Sequence, residues 1–246
     1  MPTSDNVSVP YVSMILRSLA PASALDVGIG MGKFGFLYRE ALEWSRIMSE
    51  GVRCVPKERW QHQLDGIEIC SDYITPVQQY LYDHIFLGSA EDLVDHIAEY
   101  DLVYFGDVIE HFSKEAAYRI LDATFAKSRL GILVVTPVGE FEQPGVHGNP
   151  CEEHRSVWEP NDFDRFPYVW YRKVAERQWV ICVTRKPCSF HDPLMPRKTA
   201  AEIKKIERRH EIAKSAVRTL LGDRMLDALR RLKRRREGWR GPKWLW

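Results

Sequence analysis

The residues of this chain with chemistry to offer are a glycine-rich bend, three acids that close apolar runs, and two histidines. The bend reads Asp26-Val27-Gly28-Ile29-Gly30-Met31-Gly32: an apolar run ends in an acid, and glycines follow at alternate positions. Glycines at this spacing remove every Cβ from one side of a turn, so a ligand can lie against bare backbone. A helix starting at Lys33 would point its free amides and positive dipole end at the same spot. The second acid, Glu68, closes the run Leu64-Asp65-Gly66-Ile67. Its two oxygens suit the paired hydroxyls of a ribose beside the bend. The third, Asp107, opens Asp107-Val108-Ile109-Glu110-His111. His111, and His154 in a later polar stretch, are side chains able to take a proton from a hydroxyl near neutral pH.

These groups need elements that bring them to one place. Residues 7–19 read as a helix with Val12, Ile15, Leu16 and Leu19 on one side, ended by Pro21. Strands are predicted at 22–26, 64–69, 84–88, 101–106 and 129–137. A helix is predicted from Lys33 to about Ser49, one from a Ser71 cap to Tyr82, and one opening at Ser113. Strands alternating with helices, three of them carrying functional groups at their C-terminal ends, argue an open parallel sheet, which binds ligands outside those ends. The fifth strand is apolar almost throughout, as one buried on both faces should be. Residues 50–63 form a long connection whose Trp60 is either a packing residue or a wall for a ligand. Residues 139–161 form a polar loop long enough to be functional. Two final strands, 168–175 and 178–185, flank a tight turn at Glu176-Arg177.

At 246 residues with 45% apolar content, the chain suits one α/β domain, residues 1–190 with an N-terminal helix in 1–21, plus an appendage at 191–246. The net charge of +1 hides an asymmetry: residues 197–246 hold 17 Lys+Arg against 6 Asp+Glu. The tail has helical apolar spacing and ends in Lys233-Arg234-Arg235-Arg236 with Trp239, Trp244 and Trp246. Such a basic amphipathic tail suits an anionic membrane surface, or less readily nucleic acid. No apolar run is long enough for a membrane span, and the N-terminus lacks a secretory pattern. Five scattered cysteines without Cys-x-x-Cys read as reduced thiols. The expectation is a cytoplasmic protein, peripheral to the inner face of a membrane if the tail binds there.

The bend excludes a P-loop, because Gly32-Lys33 is followed by Phe34 and Val27 stands where the first glycine belongs. A dinucleotide fingerprint occurs as Gly30, Gly32 and Gly35, but residues 53–58 make a poor second strand for its acid. An acid followed by Gly28, Gly30 and Gly32 resembles motif I of class I S-adenosylmethionine-dependent methyltransferases. The run from Asp107 to His111 is similar to motif IV of that family, and the resemblance extends in order over residues 22–186. It implies a seven-stranded Rossmann-like, mostly parallel sheet closed by an antiparallel hairpin, and S-adenosylmethionine as cofactor. It implies that Asp26, the three glycines, Glu68 with Ile69, Ser89 with Ala90, and Asp107 bind that cofactor. Ser89 stands where the family usually has an acid, so Ser89, Glu91 or Asp92 is left to meet the adenine. Residues 65–68, 107–111 and 148–158 also resemble methyltransferases encoded near surface-glycan genes, implying a small-molecule or glycan acceptor. His111 and His154 are the expected catalytic residues.

No metal is expected, although Asp107, Glu110, His111 and His154 resemble the ion-binding set of small-RNA 2′-O-methyltransferases. His147, Cys151 and His154 have ligand-like spacing too. The alternatives to an O-methyltransferase of small molecules or saccharides are thus a metal-dependent RNA 2′-O-methyltransferase and a cofactor-binding adaptor without catalysis.

Overall fold

The computed structural model describes residues 5–44, 47, 50–51, 56–140, 143–145, 149–191 and 193. Its strands are β1 Ser23–Val27, β2 Gln63–Glu68, β3 His84–Leu87, β4 Tyr100–Gly106, β5 Ser128–Pro137, β6 Tyr168–Val174 and β7 Gln178–Thr184. They form one sheet in the order β3-β2-β1-β4-β5-β7-β6. The first five pair in parallel, and β7 runs antiparallel to both β5 and β6. This is the Rossmann-like, mostly parallel sheet with a closing hairpin that the strand pattern and the resemblance imply.

The order has a direct consequence for the site. β1 lies between β2 and β4, and all five of its residues are buried. Its C-terminal end therefore sits beside the ends of β2 and β4, which carry Glu68 and Asp107. In register, Val27 pairs with Ile67 on one side and Phe105 on the other. The sequence reversal between β1 and β4 opens the crevice where open α/β sheets bind ligands.

Helices cover both faces. One apolar layer contains Ile15, Leu16, Phe34, Tyr38, Leu133 and Cys182. The other contains Leu25, Val103, Ile120, Leu121, Trp158 and Phe163. Helix α1, Val9–Leu19, buries Val12, Ile15 and Leu16 and ends at Ala20, a left-handed residue (φ 44°) just ahead of Pro21. Helix α2, Lys33–Arg39, begins in the glycine bend.

The structure corrects three local expectations. The helix after the bend is α-helical only to Arg39 and continues as a π-helical turn, Glu40–Trp44. There the buried Glu43 accepts from the amides of Gln61 and His62, both at 2.7 Å. Ser71 does not cap a helix to Tyr82. It opens a 3-10 turn, Ser71–Tyr73, and the helix is α3, Pro76–Leu81, capped by Thr75 in a capping box with Gln78. Proline forces the boundary: the residue before it is steered out of the helical region, so Thr75 can only be a cap. The turn between β6 and β7 bends at Ala175 and Glu176, both with positive φ. Two further helices are α4, Ala90–Leu93, and α5, Lys114–Ala126, the latter capped by Ser113 accepting from the Ala116 amide.

Trp60 is a packing residue. Arg39 stacks on its ring at 4.2 Å and Tyr80 meets it edge-on at 5.2 Å. It does not line the large cavity described below. Cys70, Cys151, Cys182 and Cys188 are free thiols. The chain divides into units Met1–Leu194 and Met195–Trp246. The second unit lies outside the described residues, as do His147, Gly148 and Cys54.

Candidate active site

A cavity of about 690 Å³ opens at the C-terminal ends of β1, β2 and β4. Its floor is the glycine bend. Gly28 (φ 77°) and Gly30 (φ 46°) adopt left-handed backbone that L side chains rarely take. A Cβ on Gly28 would fall 2.7 Å from the Val108 side chain. Gly28 and Gly30 line the cavity, whereas Gly32 does not. Gly32 is the left-handed N-cap of α2, with Leu81 and Gln78 in van der Waals range behind it.

Glu68 meets the bend directly. The Gly30 amide donates to its Oε2 at 3.0 Å, and the Cys70 amide to its Oε1 at 3.0 Å. Burial raises the Glu68 carboxyl, and the amides of Cys70, Gly30 and Ile69 oppose that rise. Ile69, half exposed, lines the rim beside it. At the next strand end Gly88, Ser89, Ala90 and Glu91 line the cavity, and Asp92 does not. The Ser89 oxygen accepts from the Glu91 amide at 3.2 Å, as the cap of α4.

Asp26 lies beneath the bend, buried, on the cavity wall. The Tyr82 hydroxyl donates to its Oδ2 at 2.5 Å and accepts from the Gly35 amide at 3.2 Å. Burial raises the Asp26 carboxyl to about 8; the Tyr82 bond opposes the rise and the charge of Glu68 adds to it. Asp107 (φ 50°) turns sharply out of β4, and both its oxygens accept from Gln178 Nε2, at 3.0 and 2.9 Å.

The two histidines meet. Their ring centroids are 4.9 Å apart, edge to face. His111 Nδ1 lies 3.1 Å from the Glu153 carbonyl, which assigns the proton to Nδ1 and leaves Nε2 as the acceptor. Burial lowers the His111 pKa, and the bond to Glu153 opposes this. The neutral ring is therefore the resting form at neutral pH. The loop carrying His154 is fastened to the motif it faces: the amides of Arg155 and Ser156 both donate to the Glu110 carbonyl, at 2.7 and 3.1 Å. Burial, then the charge of Asp107, holds the Glu110 carboxyl well above its usual range.

Glu110, His111 and His154 each offer one ligand atom, all within 4.8 Å of one another. Glu110 Oε1 is buried without a hydrogen-bond partner, and Oε2 accepts from Thr136 at 3.2 Å. Two imidazoles and a carboxyl are a ligand set that a divalent ion accepts. Asp107 is not part of this cluster.

Several residues that build the site were not identified in the sequence. Gln78 donates to the Gly30 carbonyl at 2.6 Å and to the Tyr73 carbonyl at 2.9 Å, which fixes the bend from behind. Its signal was present, since Thr75-Pro76-Val77-Gln78 has capping-box spacing. Tyr82 and Gln178 gave no local signal, because their partners lie 56 and 71 residues away. Tyr73 donates to Glu152 at 3.0 Å and accepts from Asn149 at 3.0 Å, tying the long loop to the turn after β2.

No family model matches the chain, and no curated protein matches it. Among solved structures it is similar to an O-methyltransferase family protein from Burkholderia thailandensis, at 10% identity and a TM-score of 0.49, over 71% of this chain and 54% of that one. It is also similar to a 1,6-didemethyltoxoflavin N1-methyltransferase from the same species, with that acceptor and S-adenosylhomocysteine bound. There the identity is 19% and the TM-score 0.49, over 74% and 79% of the two chains. A third is the N-terminal domain of EvdMO1 with S-adenosylhomocysteine and D-fucose, at 13% identity and a TM-score of 0.49, over 76% and 86%. The chain spans about half the length of the first of these. None of these likenesses reaches a TM-score of 0.5, so what the chain does is read from its own residues. By strand order and hairpin closure, the described part has the Rossmann-like fold implied by the resemblance to class I methyltransferases.

Proposed function

We propose that the protein is an S-adenosylmethionine-dependent methyltransferase acting on an oxygen of a small molecule or saccharide. The observation that carries this reading is the Gly30–Glu68 contact at the lip of a cavity that also holds His111 and His154. A cofactor's nucleoside fits this geometry. The cradle at Gly28 has no room for a Cβ, the strand-end acid presents two oxygens, and the cavity falls within the range of about 300–1,000 Å³ usual for such ligands.

In this reading Glu68 accepts from the ribose hydroxyls, Ser89, Ala90 and Glu91 border the base, and Asp107 meets the amino-acid end. The bound cofactor supplies a methyl group already activated by its sulfonium. The protein's task is alignment and proton transfer. As the new oxygen–carbon bond forms and the carbon–sulfur bond breaks, the acceptor hydroxyl gives its proton to His111 Nε2. His111 is suited to this because its Nδ1 is held by Glu153 and burial keeps the ring neutral. His154, edge-on to His111, contacts the acceptor or shares the proton.

Titration calorimetry with S-adenosylmethionine tests the reading. Binding by the wild type that is lost in Glu68→Ala supports it; no binding by the wild type overturns it. Incubation with labelled cofactor and fractionated cell extract then identifies the acceptor. Turnover on no fraction, with the cofactor bound, favours the non-catalytic adaptor.

One observation favours a second reading, a metal-dependent RNA 2′-O-methyltransferase: the Glu110, His111 and His154 cluster. A chelator would then abolish activity, and RNA affinity would depend on the tail and fall steeply with salt. For the preferred reading, the basic, Trp-bearing tail is proposed to meet an anionic membrane surface, tested by sedimentation with phosphatidylserine vesicles. Among the described residues no helix is long and apolar enough to cross a membrane.

A further inference from the structure

The ionisable groups around the cavity are unequal. Eight acids line it (Asp5, Asp26, Glu68, Glu91, Asp107, Glu110, Glu152 and Glu176) against three bases (Lys33, Arg155 and Arg177). Two of the three bases have acidic neighbours of their own: Arg177 pairs with Asp5 at 3.2 Å, and Arg155 Nε lies 3.4 Å from Glu153. Two largely buried side chains, Asp26 and Tyr104, also line the cavity. Asp26, 2% exposed, accepts from the Tyr82 hydroxyl at Oδ2. Tyr104, 6% exposed, lies against Gly106 with its ring stacked on Phe34 at 4.0 Å. It lines the cavity beside Asp26.

We propose that the stretch of cavity wall formed by Asp26 and Tyr104 reads the charge on the sulfur of the methyl donor, retaining the cationic sulfonium and releasing the neutral thioether. This rests on the donor assignment made above and extends it to specificity between substrate and product. Before transfer the donor carries a positive sulfur, and after transfer it carries none. A low-dielectric cavity lined by acids stabilises the first far more than the second.

The environment of Asp26 makes this coupling measurable. It faces Tyr82 from the end of α3, Glu68 from β2 and Tyr104 from β4, and Lys33 and Asp107 line the same cavity. Among the described residues no cation acts on its carboxyl, so burial keeps the proton on the empty site at neutral pH. A cation entering the cavity favours the ionised carboxylate and expels that proton. A neutral ligand has no such effect.

The experiment is calorimetry on the full chain with S-adenosylmethionine and with S-adenosylhomocysteine, at pH 6.5 and 8.5, in buffers of differing ionisation heat. The expected result is proton release with the first ligand only. The dissociation constant for the first should fall on the order of tenfold between the two pH values, while that for the second stays constant. Asp26→Asn keeps an acceptor for Tyr82 but cannot ionise; it should lose both the proton release and the pH dependence. Tyr104→Phe should narrow the preference between the two ligands. Equal constants for both ligands at both pH values, or proton release unchanged in Asp26→Asn, would overturn the proposal while leaving the donor assignment standing. Failure of either ligand to bind at all would overturn the donor assignment itself.

Discussion

Replacing Asp26 by asparagine should make the empty protein more stable, and increasingly so as pH rises. Asp26 is fully buried, and its carboxyl is raised from 3.8 to about 8, first by desolvation. A group whose folded pKa is raised contributes stability that is present below its unfolded value and is lost as pH climbs through its folded value. Between those values the unfolded chain gives up the proton and the folded chain keeps it, so unfolding is increasingly favoured. Asparagine has no proton to lose, and its carbonyl still accepts from Tyr82. Relative to the variant, the wild type should therefore lose about 4 kcal/mol between pH 5 and pH 8.5. Urea denaturation of both proteins at those two pH values measures the difference. A gap between variant and wild type that stays constant with pH would refute the reasoning. It would mean that Asp26 is already ionised in the folded state and that water or a cation reaches its carboxylate.

Glu68→Gln should weaken S-adenosylmethionine by about 100-fold, the loss expected when two hydrogen bonds to a charged acceptor become bonds to a neutral amide; calorimetry checks this. His111→Gln should lower kcat by about 100-fold or more while leaving cofactor affinity unchanged, measured by labelled-methyl transfer. Because burial lowers the His111 pKa from 6.5, wild-type kcat at saturating cofactor should be flat above pH 6.5 and fall only at more acid pH; an acid limb centred above 6.5 would contradict this. Gly28→Ala combines a left-handed φ with a contact 2.7 Å from Val108 and should destabilise by about 1–3 kcal/mol, read from thermal melts.

What could be read from the sequence was local in the chain. The glycine bend, the acid closing β2 and the turn after β4 each occupy a few consecutive residues. Strand ends in a parallel sheet converge without further instruction, so Asp26, Glu68 and Asp107 come together as the pattern implies. Interactions across the fold were not legible. Nothing in the neighbourhood of Tyr82 says that its hydroxyl reaches Asp26, and nothing near Gln178 points to Asp107. The misplaced helix start at Ser71 has a plain cause: a serine resembles a cap wherever it stands, and Pro76 decides which candidate serves. The placing of His154 beside His111 depended on a loop with no periodicity, fixed by the two amides that bond the Glu110 carbonyl.

The central position of β1 also bears on how the chain emerges during synthesis. β1 is made before both of its sheet neighbours, and one of them, β4, begins only at Tyr100. At 5–20 residues per second, the ribosome needs roughly 4–15 s to reach that partner. Through that interval one whole side of an apolar strand stays open to pairing with another nascent chain. Rapid overexpression should therefore drive this protein into inclusion bodies more readily than slow induction in the cold.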